Sequence, residues 1–357
     1  MKLIKIKQLN LFIAGVGNVG KKLLEQISNQ TIYLKEKIGV EIKIVAISSS
    51  KKMIFNDSGI EINNWINELN SGEKANELIF FKKSKKLNLK NSVFIDNTAS
   101  KLISNTYKNY LKNGISVVTC NKIACSDNYS NYLNLKNLSF KHNSSFLFET
   151  NVGAGLPIID TLNNLISSGD RINSIQGVLS GSLNYIFNNF KNINSFDKIV
   201  TNAMNEGFTE PDPKIDLSGI DVARKILILS RVIAEKTELS DVKINSFLPT
   251  NCLNTNNTKD FFKCLSKNAN HFNKLLNEAN SKKSKLKYVA EFNNTNINVG
   301  LKSIPEGHHF YNIEESDNIV LFYTQRYHTH PLIIKGAGAG AEVTASGIFR
   351  DIIKSSK

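Results

Sequence analysis

Cysteine is scarce in this chain of 357 residues, and its four copies are poorly placed for ligation. Cys120, Cys125, Cys252 and Cys264 form no C-x-x-C pair, and no histidine stands at zinc-ligand spacing from them. Zinc fingers are thereby excluded, and reduced thiols in a cytoplasmic compartment are expected. Long hydrophobic runs are missing too: no stretch approaches the ~20 apolar residues of a membrane span. The apolar run at residues 11–14 is too short for a signal peptide and leads straight into glycines. Although the formal net charge is +14, compact basic runs are nearly absent beyond Lys82-Lys83-Ser84-Lys85-Lys86. With no RNA- or DNA-binding motif beside them, the scattered lysines argue against a nucleic-acid partner. Their alternation with Asn and Ile is the mark of codon bias, and a basic field still helps to collect polyanionic nucleotides. Internal repeats and low-complexity blocks are also lacking.

The short apolar runs that are present set the organisation. Residues 9–14 read as a strand, followed by Gly15-Val16-Gly17-Asn18-Val19-Gly20 and a helix over residues 21–29. Residues 41–47 read as a second strand, and residues 93–96, 116–119 and 146–149 as further short ones separated by helices. Strands alternating with helices build a parallel sheet. The expected fold class is α/β, with a Rossmann-type doubly wound parallel sheet over residues 1–155. After Pro157 the texture becomes α+β, which predicts a second domain over residues 156–320. Helices are predicted at 158–167, 183–189 and 195–206, and strands at 175–179, 286–292, 297–304 and 318–327. Residues 321–357 are read as a segment returning, through a glycine-rich turn and a final helix, to the first domain.

The glycine run gains meaning from its place between a strand and a helix. Gly15 permits a tight turn, Gly17 lets the backbone approach a pyrophosphate, and Gly20 allows close helix–strand packing. A purely structural turn is the competing reading. The second strand ends Ile47-Ser48-Ser49-Ser50-Lys51-Lys52, with no carboxylate to accept from a ribose 2′-hydroxyl. Ser49 and Lys51 suit a 2′-phosphate instead, so NADP is expected over NAD unless these lysines are merely solvated. Asp96-Asn97-Thr98-Ala99-Ser100 and Thr119-Cys120-Asn121-Lys122 close two strands, and ligands sit beyond such ends. Thr98 and Lys122 are therefore candidate crevice residues, with an ordinary surface lysine as the alternative for Lys122. Residues 149–157, Glu-Thr-Asn-Val-Gly-Ala-Gly-Leu-Pro, are either a binding loop whose carbonyls face a ligand or cation, or a hinge. Leu179-Ser180-Gly181-Ser182-Leu183-Asn184 joins a strand to a helix in a similar way.

The densest group of charges lies at residues 209–225, Thr-Glu-Pro-Asp-Pro-Lys-Ile-Asp-Leu-Ser-Gly-Ile-Asp-Val-Ala-Arg-Lys. From Ser218 the residues keep helical register, which predicts Ser218 as N-cap and Asp221 in a capping-box position. Asp221 and Lys225 share a face four residues apart, on a helix apolar nearly all round. Pro211 and Pro213 are expected to hold Glu210, Asp212 and Lys214 in an extended approach. A surface ion pair with a capping Asp is the plain reading. Converging charges where the chain turns inward would instead suit a small zwitterion.

Together, these motifs closely resemble the homoserine dehydrogenase family, nearly end to end, and above all the C-terminal half of the bifunctional aspartokinase–homoserine dehydrogenases. The resemblance implies NAD(P)-dependent interconversion of L-homoserine and L-aspartate 4-semialdehyde in threonine and methionine biosynthesis, by a homodimer joined through the second domain. It implies Lys225 as the acid/base at the substrate hydroxyl and Lys122 as a second catalytic-site lysine touching substrate and cofactor. Glu210 resembles the ligand of the substrate amino group, and Asp216 and Asp221 resemble substrate-binding and positioning carboxylates. Residues 15–20 (Gly15, Val16, Gly17, Asn18, Val19, Gly20), Thr98 and Gly340 resemble cofactor contacts. A structural sodium ion is implied at the backbone carbonyls of Glu149, Val152, Ala154 and Leu156. The chain departs from the family at Cys120, where proline is usual, at Ile123, where lysine often follows, and at Ala337. These touch geometry rather than charge. Facing one another, Lys122 and Lys225 would lower a lysine pKa toward neutrality, with Asp221 opposing the shift. Two rivals are an aspartate-semialdehyde dehydrogenase, which needs a nucleophilic cysteine, and a non-catalytic NADP sensor, which has no use for the charged group.

Overall fold

The computed structural model describes residues 6–193, 195–294 and 296–356. The chain forms two compact units, one running to Gly155 and resuming at Gly340, the other spanning residues 156–339. The expected return at residue 321 comes only at Gly340, because the intervening residues still belong to the second unit's sheet.

In the first unit, seven strands form one sheet. They are β1 (Lys7–Ala14), β2 (Val40–Ser48), β3 (Lys52–Phe55), β4 (Glu73–Lys74), β5 (Ser92–Asp96), β6 (Ser116–Thr119) and β7 (Phe146–Leu147), in the order β4-β3-β2-β1-β5-β6-β7. Strands β2, β1, β5, β6 and β7 run parallel, whereas β3 and β4 are an antiparallel edge the apolar pattern does not announce. Parallel strands covered on both faces read as continuous apolar runs, and Leu9, Leu11, Phe12 and Ile13 of β1 are all fully buried. The order reverses between β1 and β5, which is where ligands bind in open α/β sheets. Helix Asn18–Tyr33 lays Leu23, Leu24 and Ile27 into a core shared with Ala345, Ile348 and Ile352 of helix Ala341–Lys354. The strand expected over 146–149 stops at Leu147. Glu149 turns into a 3₁₀ segment, its N–H donating to Asp351 Oδ2 at 3.1 Å.

The second unit is a six-stranded sheet. Its strands are β8 (Ile172–Val178), β9 (Val242–Asn245), β10 (Ser284–Asn293), β11 (Asn296–Pro305), β12 (Asp317–Thr324) and β13 (Leu332–Ala337), ordered β13-β12-β8-β10-β11-β9. Pairing is antiparallel except for β11 with β9. Helix Ile220–Val232 packs on β10 and β11 and buries Val222, Ala223 and residues 225–231. Its start differs from expectation. Ser218 closes a separate short helix, Pro213–Leu217, and Gly219 is the N-cap with φ +75°. A Cβ on Gly219 would lie 1.9 Å from Tyr288 Oη, so a left-handed glycine must break the two helices here. Of the residues expected to be extended, Lys214 is instead helical, while Asp212 is extended as the N-cap and accepts from the Lys214 N–H.

The cysteines also depart from expectation. Helices Thr250–Leu253 and Thr258–Lys267 pack together, and Cys252 and Cys264 form a disulfide, leaving Cys120 and Cys125 free. Among the described residues, no helix is long and apolar enough to cross a membrane.

Candidate active site

The glycine turn leaves β1 at Ala14 and opens helix Asn18–Tyr33. Gly15 has φ +90°, and a Cβ there would stand 2.8 Å from Thr98 Cγ2. A Cβ on Gly20 would meet the Gly15 carbonyl oxygen at 2.2 Å, so this glycine lets the helix close onto the turn. Nothing lies within 4 Å of a Cβ on Gly17, which faces open space. The helix has no side-chain cap and no acidic residue in its first turn. Its first N–H groups, at Asn18, Val19 and Gly20, thus suit an anion. Val16 points inward and is buried.

Beside the turn lies a cavity of about 470 Å³, lined by Gly15, Ser48, Ser49, Ser50, Asn76, Thr98 and their neighbours. Ser49 and Lys51 divide in role. The Ser49 hydroxyl is committed to its own turn, accepting from the N–H groups of Lys51 (3.2 Å) and Lys52 (3.0 Å). Lys52 Nζ donates to the Gly72 carbonyl, while the Lys51 side chain is exposed.

Thr98 and Lys122 follow β5 and β6. The Thr98 N–H donates to Asp96 Oδ1 at 2.8 Å, and Lys122 is half-buried at the start of helix Ile123–Ser126. Burial, with the Asp96 charge second, pushes the Cys120 thiol up to about 12. A thiol in that range supplies no thiolate near neutrality, so Cys120 is no nucleophile. Glu149 is buried with Arg350 Nη2 at 3.8 Å from its carboxylate, and Val152 and Ala154 (φ +51°) follow in the turn. The Glu149 carbonyl accepts from the Val152 N–H, and in the second unit the Leu156 carbonyl accepts from the Ile158 N–H. Gly340 (φ +116°) caps helix Ala341–Lys354, but Glu342 in that first turn is bonded to Gln26 and faces Lys22 at 3.5 Å. That helix end is therefore already answered by a carboxylate from its own chain.

In the second unit the expected ion pair forms. Lys225 Nζ lies 2.9 Å from Asp221 Oδ2 and donates to the Leu179 carbonyl at 2.6 Å. Lys225 is only 9% exposed, whereas the Asp221 side chain is 45% exposed. This makes the pair a half-buried hydrogen-bonded cation rather than a surface i,i+4 contact. Asp216 accepts from the Ser182 hydroxyl (2.9 Å) and the Glu210 N–H (2.9 Å). Its pKa is raised, chiefly by burial with Asp221 adding to it, and these two hydrogen bonds oppose the rise. The Glu210 carboxylate is exposed.

One part of this site is only weakly marked by its motif, and one further buried lysine of the second unit escapes motif reading altogether. Ser182 and the Leu179 carbonyl lie in the Leu-Ser-Gly-Ser-Leu-Asn junction, where Ser180 caps helix Gly181–Asn189 by accepting from the Leu183 N–H. The signal was a capping Ser ahead of a helix, which by itself carries no role. The second is Lys287 in β10, fully buried, its ammonium donating to Asn184 Oδ1 (3.0 Å), Asn188 Oδ1 (2.5 Å) and the Ile313 carbonyl (2.7 Å).

Comparison with known proteins converges on one family. A model described as homoserine dehydrogenase matches residues 157–353, and one described as its NAD-binding domain matches residues 15–149. The bifunctional aspartokinase/homoserine dehydrogenase 2, chloroplastic, of Arabidopsis thaliana is 40% identical over 97% of this chain, which spans 38% of that relative's length. The homoserine dehydrogenase of Schizosaccharomyces pombe is 36% identical over 97% of this chain and 95% of its own length. Among solved structures, a Candida auris protein of unknown function superposes with TM-score 0.88 at 32% identity, covering 98% of both chains. A hyperthermophilic archaeal homoserine dehydrogenase mutant in complex with NADPH gives TM-score 0.75 at 26% identity, again over 98% of both chains. With family models covering both units, the chain belongs to the homoserine dehydrogenase family of NAD(P)-dependent oxidoreductases.

Proposed function

We propose that the chain interconverts L-homoserine and L-aspartate 4-semialdehyde with NADP(H), in threonine and methionine biosynthesis, as a cytoplasmic homodimer. The observation that carries this reading is the buried Lys225 ammonium, held by Asp221 and the Leu179 carbonyl in the unit that also presents Asp216 and Glu210. Once it has given up a proton, Lys225 as the neutral amine takes the hydroxyl proton, and as the ammonium it returns a proton in the reverse direction; Asp221 orients it, and Asp216 and Glu210 hold the substrate's polar groups. Lys122 acts as the second lysine of the reaction. A bound nicotinamide would supply the acceptor for the hydride that leaves the substrate carbon. The residues fit such a cofactor: Gly17 leaves open space, and the uncapped N–H groups of residues 18–20 receive a pyrophosphate. Thr98 and Gly340 complete the proposed cofactor contacts. A structural sodium ion at the carbonyls of Glu149, Val152, Ala154 and Leu156 belongs to the same reading. Carbonyl oxygens are hard ligands, and an accepted N–H leaves those of Glu149 and Leu156 a second lone pair.

Absorbance at the nicotinamide band, with homoserine and NADP, tests the activity directly. No turnover with purified protein overturns it. Glu210→Gln is expected to raise the KM for homoserine, since the exposed carboxylate is free to pair with the substrate ammonium, and to leave the KM for NADP unchanged. An unaltered homoserine KM removes Glu210 from the substrate site.

Cofactor choice is tested at Lys51. One charge-assisted hydrogen bond to the 2′-phosphate contributes about 1.5–3 kcal/mol. Lys51→Ala is thus expected to cut the NADP-over-NAD ratio of kcat/KM roughly tenfold. The ratio is taken at constant salt, because exposed charges are screened. A wild type that prefers NAD, or an unchanged ratio, makes Lys51 a solvated lysine.

A further inference from the structure

Asp96 is a carboxylate with no exposure, and among the described residues it has no cationic partner. Removing such a group from water is costly unless hydrogen bonds replace the lost hydration. It ends β5, and its two oxygens are divided between two loops. Oδ1 accepts the Thr98 N–H at 2.8 Å, one loop of the sheet's crevice. Oδ2 accepts Asn121 Nδ2 at 3.0 Å, from the loop after β6, and Tyr107 Oη at 2.5 Å.

The contacts to Asn121 and Thr98 lead to residues of the proposed reaction. Asn121 directly precedes Lys122, and its Oδ1 accepts the Ile123 N–H at 3.1 Å, so both chain neighbours of Lys122 are held. The same amide donates to the Ser100 carbonyl at 3.0 Å, joining the two loops a second time. On the other side, Thr98 Cγ2 abuts the Gly15 turn, and Asn97 Nδ2 donates to the Gly15 carbonyl at 3.2 Å. Only a carboxylate presents an acceptor in both directions. An amide here would aim a donor at either Asn121 Nδ2 or the Thr98 N–H.

We propose that Asp96 is a positioning residue for the reaction, clamping the Thr98 loop to the turn that carries Lys122. The inference rests on the reading that Thr98 and Lys122 serve catalysis. Burial raises the Asp96 pKa, and hydrogen bonds from Tyr107, Thr98 and Asn121 oppose that rise. Those donors are therefore part of what the carboxylate needs in order to act as a double acceptor.

The experiment compares Asp96→Asn with Tyr107→Phe, each also in a Lys122→Met background, by kcat, both KM values and thermal midpoint. Tyr107→Phe removes the phenol's bonds to Asp96 and to the Thr119 hydroxyl, yet leaves both loop contacts of the carboxylate in place. Asp96→Asn is expected to lose on the order of 10- to 100-fold in kcat, the scale of a small misplacement of a reacting group. Tyr107→Phe is expected to lower the midpoint while holding kcat within about twofold. In the Lys122→Met background, Asp96→Asn costs no further kcat, as residues acting through one another are non-additive. Should Asp96→Asn fail to fold, Asn121→Ser cuts the same link from its other end and is expected to show the same loss. Equal kcat losses in Asp96→Asn and Tyr107→Phe, or an undiminished loss without Lys122, overturn the proposal. A wild type inactive on homoserine instead sinks the functional reading itself.

Discussion

Lys225→Ala is expected to abolish turnover, with a loss on the order of 10²–10⁴ from removed acid–base help, while NADP binding persists. The fold is expected to survive. Asp221 is exposed enough for water to replace the ammonium, and Leu179 keeps a second donor in Asn318 Nδ2 at 3.4 Å. The glycine turn lies in the other unit and contributes none of these contacts. The check is single-turnover rate together with NADPH fluorescence titration on purified variant. Retention of more than about half the wild-type rate, against the loss general acid–base catalysis predicts, would reduce Lys225 to a structural partner.

The second large effect concerns Lys287 and pH. Burial, then the neighbouring Lys285, lowers its pKa to about 7, Glu314 opposes the shift, and Lys335 adds weakly to it. Three neutral oxygens surround the ammonium, and among the described residues no carboxylate pairs with it directly. The sign follows from proton binding. In the folded chain the amine is charged mainly below about 7, while in the unfolded chain it stays charged up to the ordinary lysine value of 10.5. Between those values the unfolded state binds more protons, so this group makes stability rise with pH. Its penalty is fully present below the folded pKa and is relieved as pH climbs toward the unfolded one. In Lys287→Met the group is gone. The stability difference between wild type and variant should therefore shift in favour of wild type from pH 7 upward. Denaturant midpoints of both proteins across that range measure it. A pH-independent difference would mean that Lys287 keeps an ordinary pKa in the folded protein.

Where the chemistry was written in local pattern, the sequence was readable. The parallel strands appear as short apolar runs because both faces of that sheet are covered, and Asp221 with Lys225 meet because four residues make one helical turn. The start of their helix was misread, since Ser218 looks like a cap until Tyr288, seventy positions on, occupies the space beneath Gly219. The edge strands β3, β4, β9 and β13 escaped for a related reason. They are two to six residues long and partly exposed, so the Met-Ile-Phe and Leu-Ile-Ile runs of β3 and β13 and the Val-Lys-Ile-Asn alternation of β9 are too brief to stand out from loop. Nor could spacing show that Cys252 and Cys264 pair, because that depends on two short helices packing side by side. The division of Asp96 between two loops is likewise a fact of tertiary register: Asp96 lies beside Thr119 in the β5–β6 ladder, and nothing in either loop's sequence states it.

The split course of the first unit has a bearing on how the protein comes into being. Leu23, Leu24 and Ile27 are among its earliest apolar residues, yet part of their cover, Ala345, Ile348 and Ile352, is among the last to be made. The whole of the second unit lies between them and is continuous in the chain. At about 5–20 residues per second, synthesis from Gly155 to Lys354 takes about ten to forty seconds. During that interval the second unit has all it needs to collapse on the ribosome, while helix Asn18–Tyr33 waits with an open apolar face. That face is where a nascent chain would recruit a chaperone or stick to its neighbours. The nucleotide-binding unit, begun before the second unit, is thereby finished after it.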